Sequence, residues 1–412
     1  MYSIGAVVLR SMTAVTALLV LHVLTPAEFG LLALVNTALR IVPVFLGLGL
    51  RQAFWLEYFH KTPHERKHVL NTIMVIYLCV AIPLLALGFL HADTISHYLF
   101  INQANRTIIA LALGYCFLQF FSELFLQVLR YQMRALFLAS IQLGAAAVTI
   151  IANLLFVFYF NWGVTGVIGA NTLGIFSIVV IAATKYFING AHRLIKLQDM
   201  PTNAKRLLIL GFPFIPNIAL SWLLSAGNRW ILAYFTSMEL VGIYALADMA
   251  GQIFVMCALE PVANAYVPYM LEQYAAHKEP INTIEHRNTR TMWWAMVGAG
   301  VLITLGTCMA FMIGPYILPA AYQQALRYVW FILFANIFLL GTYFSSCSLV
   351  FAKKSWTILW LNAVAAGTNI GLNILLVPIF GISGCVAALI GSYGLFFYLN
   401  RQETKQMVTS AG

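Results

Sequence analysis

The chain has 412 residues, of which 62% are hydrophobic and only 9% are charged, and its formal net charge is +10. A soluble domain carries about 25% charged residues, so this composition excludes a water-soluble globular protein and favours a surface that faces lipid. The basic residues lie mostly in short loops, which indicates membrane topology rather than nucleic-acid binding. The six cysteines fall in apolar runs without metal-ligand spacing, so no metal site and no disulfide framework are expected.

Apolar runs of about 20 residues recur along the chain, and each is long enough to cross the hydrocarbon layer as a helix. We predict an all-α integral membrane protein, because helices satisfy their own backbone polar groups and lipid cannot. The first run lacks a basic n-region and is predicted to be a span rather than a signal peptide. About twelve spans are expected, at residues 3–24, 29–52, 69–90, 106–128, 135–160, 163–187, 206–234, 240–264, 290–314, 326–351, 355–378 and 381–400.

Two segments recur about half a chain apart, which predicts an internal repeat. Asn153–Gly166 returns as Asn373–Gly384, and Thr25–Gly30 returns as Thr236–Gly242. An even number of spans in each half gives both halves the same orientation, so we predict a parallel pseudo-repeat of two six-helix lobes. The basic loops then place both termini in the cytoplasm. The predicted divisions are an N-terminal lobe at 1–188, a cytoplasmic linker at 189–204, a C-terminal lobe at 205–402 and a cytoplasmic tail at 403–412.

Ionisable residues at membrane depth are costly and therefore point to function. Arg40 lies near the middle of the second predicted span, and Asp248 lies near the middle of the eighth. Aligning the halves places Asn36 opposite Asp248 and Arg40 opposite Gln252, so both halves carry a polar pair four residues apart on one helix face. We expect these faces to line a cleft between the lobes. The alternative is a buried Arg40–Asp248 salt bridge that only holds the lobes together.

Other charged residues at membrane depth have structural alternatives of their own. Arg10, in the first span, and Arg51, at the inner end of the second, could snorkel to the interface. Glu123, in the inner part of the fourth span, could pair with Arg130. Arg229 lies inside the outer end of the seventh span, and nearby aromatic rings could stack on sugars or belong to an interfacial belt. These aromatic residues are Trp222, Trp230, Tyr234 and Tyr244.

The start of the seventh span is interrupted by Pro213 and Pro216, which follow Gly211. Proline removes a backbone donor and kinks a helix, so this segment is predicted to be a hinge, with a static bend as the alternative. The sequence contains no Gly-rich phosphate loop with a lysine and no catalytic constellation. Neither an ATP site, a resident cofactor nor an enzymatic activity is therefore expected.

Several motifs resemble those of one family. The stretch from Leu24 to Leu34 resembles the first loop of polysaccharide exporters of the Wzx type, which are flippases of the multidrug/oligosaccharidyl-lipid/polysaccharide (MOP) superfamily. The resemblance spans nearly the whole chain and implies a MATE-like fold. Asn228 stands where an acid commonly precedes the arginine, and Asp248 lies near a stretch where many members carry lysine. The other similar stretches are Gly211–Pro216, Asn228–Leu232, Val241–Ala245, Glu260–Pro268 and Asn373–Gly384.

The resemblance implies a flippase that moves an undecaprenyl-diphosphate-linked oligosaccharide from the inner to the outer leaflet of the bacterial inner membrane. The product would serve O-antigen, exopolysaccharide or capsule biosynthesis. Implied partners are the lipid-linked glycan, the bilayer, and a glycan polymerase with other polysaccharide assembly proteins. No cofactor is implied beyond a coupling H⁺ or Na⁺.

Arginines can bind a diphosphate through bidentate, charge-assisted hydrogen bonds. We therefore predict that Arg40 captures the diphosphate head group, with Arg51 at the entrance of the cleft and Arg229 near its exit. The remaining substrate-binding candidates are Asn36, Asn228 and Arg10. Asp248 and Glu123 are the candidates for ion or proton coupling.

Two other functions stay open at the level of sequence. A cation-coupled multidrug exporter of the same superfamily would favour acids and aromatic residues over arginines in its cavity. A membrane-embedded glycan polymerase or ligase would need a large external loop with arginines and acids, whereas the predicted outer loops are short. A purely structural membrane protein would leave the matched deep charges unexplained.

Overall fold

A computed structural model describes residues 16, 18–58, 61–100, 105–188, 200–259, 262–275, 281–352 and 354–411. Every regular element in these ranges is helical, which confirms the all-α prediction. Eleven of the described helical segments are long and apolar enough to cross a membrane, so the chain is a multi-pass membrane protein. The first predicted span lies mostly outside the described residues, and the count of about twelve spans stays a prediction.

The chain divides into two compact units, Met1–Ala219 and Leu220–Gly412. In chain order, the helices of the first unit are α1 (Pro26–Leu46), α2 (Leu50–Tyr58), α3 (Pro63–Leu90), α4 (Ala92–Leu99), α5 (Arg106–Tyr131), α6 (Ala135–Asn153, continued by a π-helical turn at Leu154–Tyr159), α7 (Gly163–Ile188) and α8 (Met200–Gly211). Helix α9 (Phe214–Phe235) contains the boundary between the units.

The second unit continues from α9 with seven further α-helices. They are α10 (Met238–Phe254), α11 (Val267–Ala275), α12 (Ile281–Ile317), α13 (Leu326–Ser345), α14 (Cys347–Phe351), α15 (Ser355–Phe380) and α16 (Ile382–Ala411). Short π-helical segments at Val255–Leu259 and Val262–Tyr266 follow α10, and a 3₁₀ segment at Ala320–Ala325 precedes α13. Within this unit, α16 packs against α13 and α15, while α13 also packs against α10 and α12.

Helix starts in the first unit follow from local capping. Thr25 and Glu28 form a capping box, in which the Thr25 hydroxyl accepts from the Glu28 backbone N–H and the Glu28 carboxylate accepts from the Thr25 backbone N–H. Thr62 and Glu65 repeat this arrangement at the start of α3. Each box satisfies backbone donors that the first helical turn leaves unpaired. The sequence thus determines where these two helices begin.

Large apolar side chains stand exposed along the predicted spans. Leu302, Met312 and Leu375 are each more than half exposed. Soluble proteins rarely leave extensive apolar surface uncovered, so these side chains fit a surface in contact with hydrocarbon. The exposed apolar residues therefore agree with the low charge content of the sequence.

The predicted interruption of the seventh span is present. Helix α8 ends at Gly211 and α9 begins at Phe214, with a turn at Phe212 and Pro213 between them. Helix α8 packs against α2 and α3 of the first unit, which is why the unit boundary falls inside α9. Residues 189–199 of the predicted linker lie outside the described residues. The six-helix lobes and the hinge role stay predictions.

The contact between α8 and the start of α2 depends on two glycines. A Cβ atom at Gly49 would lie 2.1 Å from the Gly211 carbonyl oxygen, and one at Gly211 would lie 2.5 Å from the Gly49 oxygen. Gly49 also has a φ of 69°, which favours glycine. The two backbones can therefore approach this closely only because neither residue carries a side chain.

Candidate functional site

Helix α2 presents one face to the interior of the protein and another to a pocket. Leu50, Ala53, Phe54 and Glu57 are buried. Arg51 and Trp55, one helical turn apart, lie on another face and line a pocket. Gln52 also lines the pocket and Tyr58 is also buried, so this short helix directs three side chains toward the pocket and five into the protein.

The pocket lies between α2 and α5 and has a cavity volume of about 520 Å³. This size lies within the range of about 300–1,000 Å³ that is usual for small-molecule sites. We call it the basic pocket. Its lining residues are Arg51, Gln52, Trp55, Glu123, Leu126, Gln127, Arg130 and Tyr131.

The charges of the basic pocket are two arginines and one carboxylate. The Arg51 guanidinium forms an ion pair with Glu123, and the two side chains are 37% and 36% exposed. The other Glu123 oxygen accepts a hydrogen bond from the Gln119 amide on α5. Burial lowers the pKa of Arg51, and the neighbouring Arg130 cation lowers that pKa further. The pocket thus holds more positive than negative charge and favours an anion.

The remaining lining groups supply amides and aromatic rings. The Gln127 amide donates to the Tyr131 hydroxyl, and the Gln127 Oε1 atom is buried without a partner among the described residues. The Tyr131 ring packs 4.6 Å from the Tyr58 ring, measured between centroids. Trp55 is 51% exposed at the pocket. The pocket therefore combines charged groups with a packed aromatic wall and an accessible indole.

The opposite face of α2 connects to α8. Glu57 is only 5% exposed, and its carboxylate lies 2.7 Å from the Arg206 guanidinium on α8. The Lys61 amine lies 4.0 Å from the other Glu57 oxygen. Because Gly49 and Gly211 also meet here, α2 is supported by α8 on one side and lines the basic pocket on the other.

A second polar cluster lies inside the second unit. Arg229 on α9 forms an ion pair with Asp248 on α10, and the side chains are only 7% and 14% exposed. The Gln252 amide donates to the same Asp248 oxygen at 3.1 Å. The Arg229 Nε atom is buried and has no partner within the described part of the chain. We call this group the buried Arg–Asp network.

An amide cluster lies beside the buried Arg–Asp network. The fully buried Asn228 donates to the Tyr244 hydroxyl at 3.2 Å and accepts from the Asn373 amide at 3.0 Å. Asn373 also donates to the Asn369 backbone oxygen at 2.8 Å, and the Asn369 amide donates to the Ser392 hydroxyl at 2.9 Å. These hydrogen bonds join four helices, α9, α10, α15 and α16.

Comparison with protein families and solved structures adds to this geometry. Residues 1–273 match the family model described as "Polysaccharide biosynthesis protein". The chain belongs to this family. Comparison with the curated proteins found no match.

Solved structures share the fold of this polysaccharide biosynthesis protein across nearly its whole length. An inward-facing multidrug resistance MATE family transporter of the MOP superfamily aligns with a TM-score of 0.76 at 12% identity, covering 98% of this chain and 95% of that one. The lipid II flippase MurJ, in an inward closed conformation, aligns with a TM-score of 0.75 at 14% identity, covering 98% of this chain and 87% of that one. A MOP superfamily transporter from Pyrococcus furiosus aligns with a TM-score of 0.61 at 15% identity, covering 99% of this chain and 95% of that one. The MATE-like fold and the resemblance to Wzx-type exporters are confirmed.

The structure gives both Glu123 and Asp248 an arginine partner that the sequence did not indicate. Glu123 pairs with Arg51 rather than with Arg130, because α2 presents Arg51 across the pocket from α5. Asp248 pairs with Arg229, because the short turn between α9 and α10 brings these two residues together.

The other predicted site residues are dispersed. Asn36 and Arg40 lie on α1, where Asn36 is partly buried and Arg40 is exposed. Arg40 interacts electrostatically with Tyr115 on α5 and does not line the basic pocket. Arg10 lies outside the described residues. Tyr244 is 1% exposed, so the predicted stacking of a sugar on its ring would require the second unit to rearrange.

Sequence reasoning named Arg51 and Glu123 but missed other polar and aromatic residues of the basic pocket, which are Gln52, Trp55, Gln127 and Tyr131, and considered Arg130 only as a partner of Glu123. Glu123, Gln127, Arg130 and Tyr131 occupy positions i, i+4, i+7 and i+8 of α5. This spacing places them on one helix face, and a polar stripe of this kind is a signal that could have found the site. Trp55, one turn after Arg51, gave no separate signal because exposed aromatic residues are common in membrane proteins.

Proposed function

We propose that this protein is a flippase for an undecaprenyl-diphosphate-linked oligosaccharide, moving it from the inner to the outer leaflet of the bacterial inner membrane. The observation that carries the proposal is the basic pocket of a polysaccharide biosynthesis protein, where two arginines lie beside amides and aromatic rings. Guanidinium groups hold phosphate oxygens in bidentate, charge-assisted hydrogen bonds. The family description, polysaccharide biosynthesis, supports a glycan as the cargo.

The residues of the pocket suit the parts of such a lipid. Arg51 and Arg130 would bind the diphosphate at the cytoplasmic entrance, and Trp55 would pack against the first sugar ring. The polyprenyl chain would stay among lipid, against the apolar outer surface. Arg40 on α1 would receive the diphosphate deeper in the membrane, with Asn36 beside it. The two lobes would then expose the substrate alternately to each side.

Movement of the lobes would use the interruption at Gly211, Pro213 and Pro216. This segment lies where α8 ends against the first unit and α9 leads into the second. Coupling to H⁺ or Na⁺ would use Asp248 or Glu123, and the exposed Arg51–Glu123 pair can release its carboxylate more readily than the buried Arg229–Asp248 pair. Both termini would lie in the cytoplasm, a glycan polymerase would take the product, and neither a cofactor nor a catalytic step is required.

A multidrug exporter is less well supported. A site for cationic drugs needs carboxylates whose charge is available, whereas Glu123 and Asp248 are each neutralised by an arginine. The basic pocket instead has an excess of positive charge, which disfavours cations.

A deletion strain tests the function. Without the protein, we expect lipid-linked oligosaccharide to accumulate in the inner leaflet and surface glycan to be lost. The wild-type chain should restore both, and Arg130→Ala should restore neither. Arg134→Ala is the matched control, because Arg134 is exposed four residues later and does not line the pocket. Intact surface glycan together with drug sensitivity in the deletion strain would instead identify a drug exporter.

A further inference from the structure

We infer that Glu123 occupies the diphosphate position of the basic pocket as an internal substitute, which the substrate must displace from Arg51. This inference rests on the proposed function and adds a specificity-determining residue to it. Glu123 would thus be a competitor of the substrate as well as a partner of Arg51. Three observations within the first unit carry it.

The first observation is the position of the carboxylate. One Glu123 oxygen is paired with the Arg51 guanidinium inside a cavity of about 520 Å³. A carboxylate and a phosphate present similar oxygen pairs to a guanidinium group, so both use the same donors. Glu123 contacts the Arg51 Nη1 atom, so a phosphate that binds Arg51 through both terminal nitrogens has to take the place of Glu123 there.

The second observation is the balance of charge and exposure. The Arg51–Glu123 pair is more than a third exposed on both sides, and such pairs are weak because water competes for both charges. Arg130 lines the same pocket and adds a second cation. A diphosphate carries more negative charge than a carboxylate and can contact both arginines at once. It should therefore win the exchange, whereas a single phosphate gains less and should compete poorly.

The third observation is that the displaced carboxylate keeps a partner. Gln119 lies one helical turn before Glu123 on α5, and its amide donates to the Glu123 oxygen that does not face Arg51. Loss of Arg51 as a partner therefore does not leave the carboxylate without a hydrogen bond. Glu123 can move toward Gln119 when the substrate binds and return to Arg51 when it leaves.

This exchange gives Glu123 a function in specificity. Specific sites reject wrong partners by building in repulsion as well as attraction. The Glu123 carboxylate would repel every anion, but only a ligand that contacts both arginines would overcome the repulsion. Membrane lipids with a single phosphate would be excluded, and a polyprenyl diphosphate would be admitted.

The test measures binding to the full-length protein reconstituted in nanodiscs. The probes are undecaprenyl diphosphate, undecaprenyl monophosphate and inorganic pyrophosphate, and the variants are Glu123→Gln and Arg51→Ala. Glutamine keeps the shape of the side chain and its hydrogen bond to Gln119, so the variant should fold, which a thermal melt checks. Glu272→Gln is the matched control, because Glu272 is exposed on α11 in the second unit.

We expect Glu123→Gln to tighten binding of the lipid diphosphate by about twofold to fivefold, the effect of a weak exposed ion pair. Binding of the monophosphate should tighten more, so the preference for the diphosphate should fall. Adding Glu123→Gln to Arg51→Ala should change affinity less than Glu123→Gln does in the wild-type protein, because only the repulsion by Glu123, and not its competition for Arg51, then remains. Unchanged or weaker binding of both lipids to Glu123→Gln would overturn the inference.

The outcomes separate the inference from the proposed function. If the wild-type protein binds the lipid diphosphate and Arg51→Ala does not, the function survives even when Glu123→Gln has no effect. If the wild-type protein binds no lipid diphosphate, the proposed substrate is wrong. Equal affinity for inorganic pyrophosphate and for the lipid would show that a soluble diphosphate is the ligand, and would overturn the lipid as its source.

Discussion

The basic pocket and the buried Arg–Asp network contain the same chemical pair in different surroundings. Arg51 and Glu123 are more than a third exposed beside a cavity, whereas Arg229 and Asp248 are 7% and 14% exposed among buried amides. An exposed pair contributes little to stability and can exchange partners. A buried pair is costly to break, because one charge is left without compensation. The comparison teaches that the surroundings, and not the residue types, decide which pair can bind a ligand.

The largest expected effect comes from breaking the buried pair. Asp248→Ala should lower the free energy of unfolding by about 3–5 kcal/mol, because Arg229 would keep an uncompensated charge. Thermal unfolding of the purified protein measures this loss. The double variant Arg229→Met with Asp248→Leu removes both charges and should recover much of the stability. A stable Asp248→Ala variant would show that the pair is as exchangeable as the one in the basic pocket.

A smaller loss is expected where α8 supports α2. Gly211→Ala places a Cβ atom 2.5 Å from the Gly49 carbonyl oxygen, so α8 must shift away. We expect a loss of about 1–3 kcal/mol, as for other overpacked sites, together with weaker ligand binding at the basic pocket. Gly114→Ala is the control, because a Cβ there meets nothing within 4 Å. Full stability of Gly211→Ala would mean that α8 does not hold α2 in place.

The smallest effect on stability is expected at the exposed pair. Arg51→Ala should change the free energy of unfolding by less than about 1 kcal/mol. The same variant should nevertheless abolish surface glycan display, because the diphosphate loses its first ligand. Stability is measured by thermal melting, and display by lectin or antibody binding to cells. If Arg51→Ala is destabilised but cells still display glycan, the exposed pair contributes to stability rather than to ligand binding.

Two features of the fold could be predicted from the sequence because they depend on local chemistry. The apolar runs predicted an all-helical membrane protein, since about 20 apolar residues suffice to cross a bilayer. The interruption at Pro213 followed from the missing backbone donor of proline. Neither conclusion required knowledge of which helices are neighbours.

The partners of the deep charges could not be predicted in the same way. Arg130 is seven residues from Glu123 on one helix, so sequence spacing favoured it as the partner. The structure instead presents Arg51 from another helix, at a point set by the turn through Gly49. The sequence also could not show that Glu123 is more exposed than Asp248, because both residues occur in apolar runs.

By itself, the sequence determined the class of this protein, its helical spans and the presence of arginines and acids at membrane depth. These properties depend on composition and on the order of residues along the chain, because an apolar run in lipid must form a helix to satisfy its own backbone polar groups. Only the tertiary structure decided that Arg51 faces a cavity with Glu123 and Arg130, and that Arg229 is enclosed with Asp248. Pairing and exposure depend on distances between helices that are far apart in sequence, and those distances arise from packing.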